Sequence, residues 1–251
     1  MIPSHDRAGE PRLTGLPDPH TVLTSTDWAF LEMPIGTGEV LPTALARLLD
    51  PDPGVRASAV GEALGAVTHQ NTVYEATVPV SLFVAAILNH PATAAGEAGQ
   101  AVGRVPGYPT RAALLDWLGS TAYDADDACV ASGERTSDSA FRELRPLFYR
   151  AVHPLLGDNH EEVRHAALVA TIPLARHPLL TGHRDELADH ARSLLATSTH
   201  RDRRDHVLEA LAEWGHDVSG LENADDVAVR EHWARQRAEH WAGGCADDPP
   251  F

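Results

Sequence analysis

Val55-Arg56-Ala57-Ser58-Ala59-Val60 and, much further along, Val163-Arg164-His165-Ala166-Ala167-Leu168 read as two copies of one helix opening. A looser third copy is Arg203-Arg204-Asp205-His206-Val207-Leu208. Each carries an arginine, a small or β-branched residue three places later, and an aliphatic residue at the fourth place. Leu48-Leu49 and Leu155-Leu156 close the helices before the first two copies, with Asp52 and Asp158 in the turns between. Arg164 and Arg204 stand 40 residues apart, inside the period of roughly 40–47 residues of HEAT-type helix pairs. One helix pair cannot bury its own apolar face, so copies stack and share a continuous core. The expected fold is therefore all-α, an α-solenoid of HEAT-like antiparallel helix pairs. In each copy the turn aspartate is placed to cap a helix N-terminus, and the arginine to reach acidic groups of a neighbouring turn.

Outward from these copies, nearly every segment has helical spacing, and no long alternation of apolar and polar residues suggests a sheet. A helix over 41–49 stops at Asp50-Pro51-Asp52-Pro53-Gly54, and the next begins at Val55 with Val60, Leu64 and Val67 on one stripe. After the polar break His69-Gln70-Asn71-Thr72, the stretch 78–88 is apolar nearly all round. Such a helix must be covered on most sides, and Pro79 fits its first turn. Further helices are expected near 92–103, 110–119, 138–155, 161–176, 184–196, 202–214 and 224–241. The last reads as a polar capping helix, which the end of a repeat stack needs for solubility. Residues 1–24 read as a loose leader rich in proline and glycine, 25–242 as the repeat domain, and 243–251 as a flexible tail.

The chain of 251 residues has a formal net charge of −16, with no lysine and 15 histidines. An acidic surface repels phosphate backbones and attracts basic partners, which points away from nucleic acid. Cys129 and Cys245 make neither a disulfide framework nor a CxxC zinc site. Residues 1–19 lack a signal-peptide pattern, and no apolar run nears the ~20 residues that span a bilayer. A cytoplasmic protein is expected.

Three segments carry a resemblance beyond the helical pattern. Asp27-Trp28-Ala29-Phe30-Leu31-Glu32, the run His69-Gln70-Asn71-Thr72-Val73-Tyr74-Glu75-Ala76-Thr77 and Tyr123-Asp124-Ala125-Asp126-Asp127 are similar to a group of bacterial HEAT-repeat proteins abundant in actinomycetes. The likeness covers roughly 25–215, and Asn71 stands where that group often has glycine. Members of the group often look like immunity proteins or scaffolds of polymorphic toxin systems, so the resemblance implies a protein-binding role.

Among residues that could carry chemistry, Asp124, Asp126 and Asp127 are the densest constellation. An Asp-x-Asp-Asp element is similar to the protonating motif of class II terpene cyclases, where clustered carboxylates hold a proton. The same acids suit Mg²⁺ or a partner's arginine, and the long connection 120–136 is the kind of loop that binds. The solvated-segment reading stands beside both. In the run from His160 to His165 the histidines are five apart, about 140° around a helix, so the HExxH zinc arrangement fails and both are expected at the surface. The other histidines lack the close pairing a metal site needs, and His90, His177, His200 and His216 sit where they could cap helix C-termini. The polar break at 69–72 with Tyr74 reads as a knot satisfying helix ends, or as one wall of a binding face. No phosphate loop or nucleophile elbow is present in the sequence.

The sequence thus predicts a non-enzymatic binding protein, in form an immunity or antitoxin-like inhibitor whose partner is another protein, in its specific form a basic toxin domain. Tyr123, Asp124, Asp126, Asp127 and Glu75 are the expected contacts, with no catalytic residue, metal or cofactor. The alternatives are a general scaffold or adaptor, and an enzyme using the Asp124–Asp127 acids.

Overall fold

The computed structural model describes residues 15–94, 107–126 and 135–242, with side chains as far as 236. The described chain is mostly helical. It divides into two compact units, Met1–His183 and Arg184–Phe251.

The first unit holds α1 (Pro19–Ser25), α2 (Leu41–Ala46), α3 (Pro53–Gly65), α4 (Thr77–Ile87), α5 (Pro91–Ala94), α6 (Thr110–Asp124), α7 (Thr136–Val152) and α8 (Glu161–Leu174). Helix α4 neighbours both α1 and α7, while α6 neighbours both α3 and α8. The pairs α2–α3, α4–α6 and α7–α8 join the two rows, so apolar stripes meet between them. No residue of α4 is fully exposed, which is what its all-round apolar sequence requires. Phe83, Phe141 and Phe148 are fully buried, the last two with ring centroids 5.0 Å apart.

Helices α6 and α8 touch at Gly119, where an added Cβ would stand 2.9 Å from the Ala170 Cα. Backbone lies behind that contact, so it cannot yield as a side chain would. Gly119→Val is expected to lower the stability of this unit by about 2–3 kcal/mol through overpacking, measured by urea unfolding.

The repeated arginines occupy matching places. Arg56 donates to the carbonyls of Asp50 (2.6 Å) and Pro51 (3.0 Å), and Arg164 to those of Asp158 (2.9 Å) and Asn159 (3.0 Å). Both therefore clamp the turn five and six residues upstream. The same turns share a second device, since the Asp52 and His160 amides donate to the carboxylates of Asp50 and Asp158. The equivalent of Asp158 is thus Asp50, two places before the residue aligned with it in the sequence reading. The arginines also meet carbonyls where acidic side chains were expected, because the tight turn aims its C=O groups back at the helix flank. Arg111 makes the acidic contact instead, 2.8 Å from Asp158.

Two local elements differ from expectation. The supposed leader 1–24 contains α1 in its described part, capped by the Asp18 carboxylate with Pro19 at the first helical position, and Val22 buried. The break at 69–72 is the tip of a short antiparallel hairpin, β1 (Thr68–His69) with β2 (Thr72–Val73), with Gln70 at φ 48° and Asn71 at φ 54°. A two-residue turn with both φ values positive matches strand twist and favours Asn or Gly. Asn71 suits that conformation, whereas glutamine is rarely left-handed. Gln70→Asn is expected to raise the midpoint of thermal unfolding slightly, by under about 1 kcal/mol in stability.

The second unit holds α9 (Arg184–Thr197), α10 (Arg201–Glu213) and α11 (Ala224–Ala242). Helix α10 neighbours both α9 and α11. Arg204 repeats the clamp, donating to the Ser198 carbonyl six residues upstream at 3.1 Å. The expected helix over 92–103 is seen only as α5, and its remainder lies outside the described residues, as do Cys129, Cys245 and the tail 243–251. No helix among the described residues is long and apolar enough to cross a membrane.

Candidate functional site

The expected contact residues fall into two constellations on the first unit. One gathers at the C-terminal end of α6. That helix runs to Asp124, so Tyr123 and Asp124 lie in its last turn, where the sequence reading placed them in a long loop. Asp126 follows immediately, and Asp127 lies outside the described residues.

Arginines from two other helices converge here. Asp126 accepts from Arg145 of α7 at 2.7 Å through one carboxylate oxygen, and from Arg176, just beyond α8, at 3.0 Å through the other. Arg145 also donates to the Ala122 carbonyl at 2.8 Å, and Arg142 to the Ala125 carbonyl at 2.6 Å. The C-terminal carbonyls of a helix lack partners within it and carry partial negative charge, so guanidiniums suit them. The Arg176 guanidinium lies 5.2 Å from the centre of the Tyr123 ring, within cation–π range. Arg145 is almost wholly buried. Burial lowers its pKa from the usual arginine value, and the Asp126 charge and hydrogen bond oppose that shift. Asp126 therefore ties α6, α7 and the end of α8 together.

The second constellation surrounds Glu75. Its carboxylate accepts from the Glu32 amide at 3.1 Å, and the Ala76 amide donates to the Glu32 carbonyl at 3.2 Å. Arg135, at the N-terminus of α7, reaches the Glu32 carboxylate at 2.5 Å and lies 5.3 Å from the Tyr74 ring centre. The Glu32 hydrogen bond raises the Arg135 pKa. Ser137 donates to the Val73 carbonyl at 2.6 Å, fastening the same helix end to the hairpin. Glu75 thus anchors the segment before α2. Arg135 begins the same helix that supplies Arg142 and Arg145, so the two constellations are set about 10–15 Å apart along α7 by helical rise.

The histidines behave differently from the sequence reading. His160 is the N-cap of α8, its Nδ1 accepting from the Glu162 amide, and His165 is buried rather than at the surface. His90 and His177 accept from the amides of Ala92 and Leu179, two residues on. An imidazole with a free Nδ1 lone pair is an acceptor, so these rings serve helix starts where helix ends were expected. His153 and His183 come together with Tyr149, their ring centroids 4.8 to 5.9 Å apart. The two imidazoles have ligand nitrogens within 4.8 Å. Two imidazoles are half of a tetrahedral zinc set. Thirty residues separate them in sequence, which hid the pair.

Comparison with known proteins adds no family: no family model matches the chain, and neither the curated proteins nor the solved structures contain a match.

Proposed function

We propose that this chain is a non-enzymatic protein-binding module, a short HEAT-like stack whose acidic surface holds a basic protein partner, in its specific form an immunity-type inhibitor of a toxin or effector. The observation that carries the reading is where the charges lie. Arg56, Arg145, Arg203 and Arg204 are buried, against Asp138 and Asp226 among the described acids. Among the described residues, burial therefore withdraws more positive than negative charge from a chain whose net charge is already −16. Such a field steers basic partners and accelerates their association at low salt. The matching turn clamps of Arg56 and Arg164, both in the row of α3, α6 and α8, and the second row packed against it support the HEAT-like stack. A cytoplasmic location belongs to the same proposal.

Acid catalysis by Asp126 is the less favoured reading. Both its oxygens accept from guanidiniums within the fold, whereas a protonating acid must present its O–H to substrate. A scaffold or adaptor role shares the binding physics, and differs in leaving the partner active. The test is co-expression with the products of the neighbouring genes, followed by sizing and a toxicity assay of any that prove toxic. A 1:1 complex that weakens steeply with salt, and that neutralises the toxin, is the expected result. No complex with any of them overturns the binding role, and a complex with full toxicity leaves only the adaptor form.

A further inference from the structure

We infer that residues 27–40 form a preformed docking platform for a partner segment that carries apolar side chains flanked by arginine or lysine. The inference rests on the protein-binding role proposed above and gives it a place and a chemistry.

Three of the five large hydrophobic residues exposed among the described residues lie within eleven positions: Phe30 (81% exposed), Ile35 (89%) and Val40 (65%). Exposed apolar side chains scattered singly are ordinary, while a cluster marks an interaction site. This one is not a loosely held loop. Trp28 and Met33 are buried beneath it, and the Trp28 indole donates to the Leu23 carbonyl at 3.0 Å. A β-bridge joins Glu32 to Thr37, with Gly36 at φ +75° in the turn between. The 3-10 turns Trp28–Phe30 and Gly38–Val40 neighbour each other, and a Cβ on Gly38 would stand 2.7 Å from the Trp28 carbonyl oxygen. Glu75 and Ala76 hold the Glu32 backbone from below. The inward positions are thus already filled, and Phe30, Ile35 and Val40 point away from a fixed frame. Rigidity of this kind lowers the ordering cost of binding.

Charge chooses the occupant. Residues 27–40 contain Asp27, Glu32 and Glu39, all exposed, and no arginine, lysine or histidine. Arg135 pairs with Glu32, leaving the segment acidic. A second copy of this chain in a two-fold arrangement would set the same acidic patch against itself. A partner with basic flanks gains complementary charge while its apolar side chains cover Phe30, Ile35 and Val40.

The test uses the full chain and three labelled synthetic peptides of equal length: leucine with arginine, leucine with glutamate, and serine with arginine. Fluorescence anisotropy is expected to show binding of the leucine–arginine peptide only. Phe30→Ser with Ile35→Ser should weaken it at least tenfold, and Asp27→Asn with Glu39→Gln should weaken it and flatten its salt dependence. Unchanged thermal unfolding of both variants shows that the fold is kept, as expected for such exposed positions. The platform is overturned if the leucine–arginine peptide does not bind, if the serine–arginine peptide binds equally well, or if the variants bind as the parent does. It is also overturned if light scattering finds a dimer that the Phe30/Ile35 variant abolishes, since a second copy is then the occupant. The same variants in the toxin co-expression assay separate the two claims. A toxin complex that survives them removes the platform and keeps the binding role, whereas a parent chain that captures no toxin removes the role itself.

Discussion

Asp226→Ala is expected to cost the second unit about 3–5 kcal/mol, the usual consequence of leaving a buried charge without its partner. Asp226 and Arg204 are both buried, and two guanidinium nitrogens reach the carboxylate at 2.6 to 3.1 Å. The rest of the guanidinium is consumed by the carbonyls of Leu195, Ser198 and Leu221. Asp226 also accepts from the Asn223 amide at the start of α11, and Asn223 returns the bond. One carboxylate thus fixes the α9–α10 turn, the 221–223 segment and the first turn of α11. Since whole domains hold only ~5–15 kcal/mol of stability, amide exchange in α10 and α11 should rise sharply in this variant. Arg204→Met with Asp226→Leu should recover much of the loss, because apolar replacement of both partners removes the stranded charge.

The same pair sets an acid limb. The Arg204 hydrogen bond, aided by the Asn223 amide, holds the Asp226 pKa below the usual carboxylate value, against the opposing effect of burial. A carboxyl with a lowered folded-state pKa binds protons more readily when unfolded. Its contribution is therefore complete above the unfolded value, about 3.9, and is lost as pH falls through the lowered folded value. The parent chain should lose stability steeply on that descent, and the double variant less steeply.

How far the sequence carried the structure depends on the range of each interaction. The helices over 41–49, 78–88, 161–176 and 184–196 were legible because periodicity and turn residues are local signals. Arg56 and Arg164 were legible as equivalents for the same reason, since each clamps a turn within six residues. Helix α1 was missed although Asp18-Pro19 is a cap followed by proline at the first position; the surrounding prolines and glycines masked it. The hairpin at 69–72 was missed because two-residue strands leave no alternation to count. Glu75 and Asp126 are expected from the sequence as contacts for a partner, but their neighbours within the fold are Glu32, Arg145 and Arg176, 43, 19 and 50 residues away. Nothing local announces such partners, and a cluster of acids looks the same whether it faces solvent or a buried arginine.

That ambiguity has a decisive experiment in Asp126→Ala. If this carboxylate were only a contact for a partner, its loss would leave stability untouched and weaken binding. The geometry makes the opposite expectation. Arg145 is about as buried as Arg204 and keeps only the Ala122 carbonyl among its described contacts once Asp126 is gone. Arg142, already near it, opposes its charge. The expected loss is about 3 kcal/mol, at the lower end for a broken buried pair because Asp126 is itself partly open to water. Asp126→Asn should lose less, since an amide oxygen still accepts a hydrogen bond from one guanidinium although the opposing charge is gone. Urea unfolding of the two variants, read beside binding to a basic partner, separates the roles. A large drop in stability, with binding by the folded fraction preserved, is the expected pattern. Unchanged stability with lost binding would return Asp126 to the interaction surface and leave Arg145 to be explained by the α6 carbonyls alone.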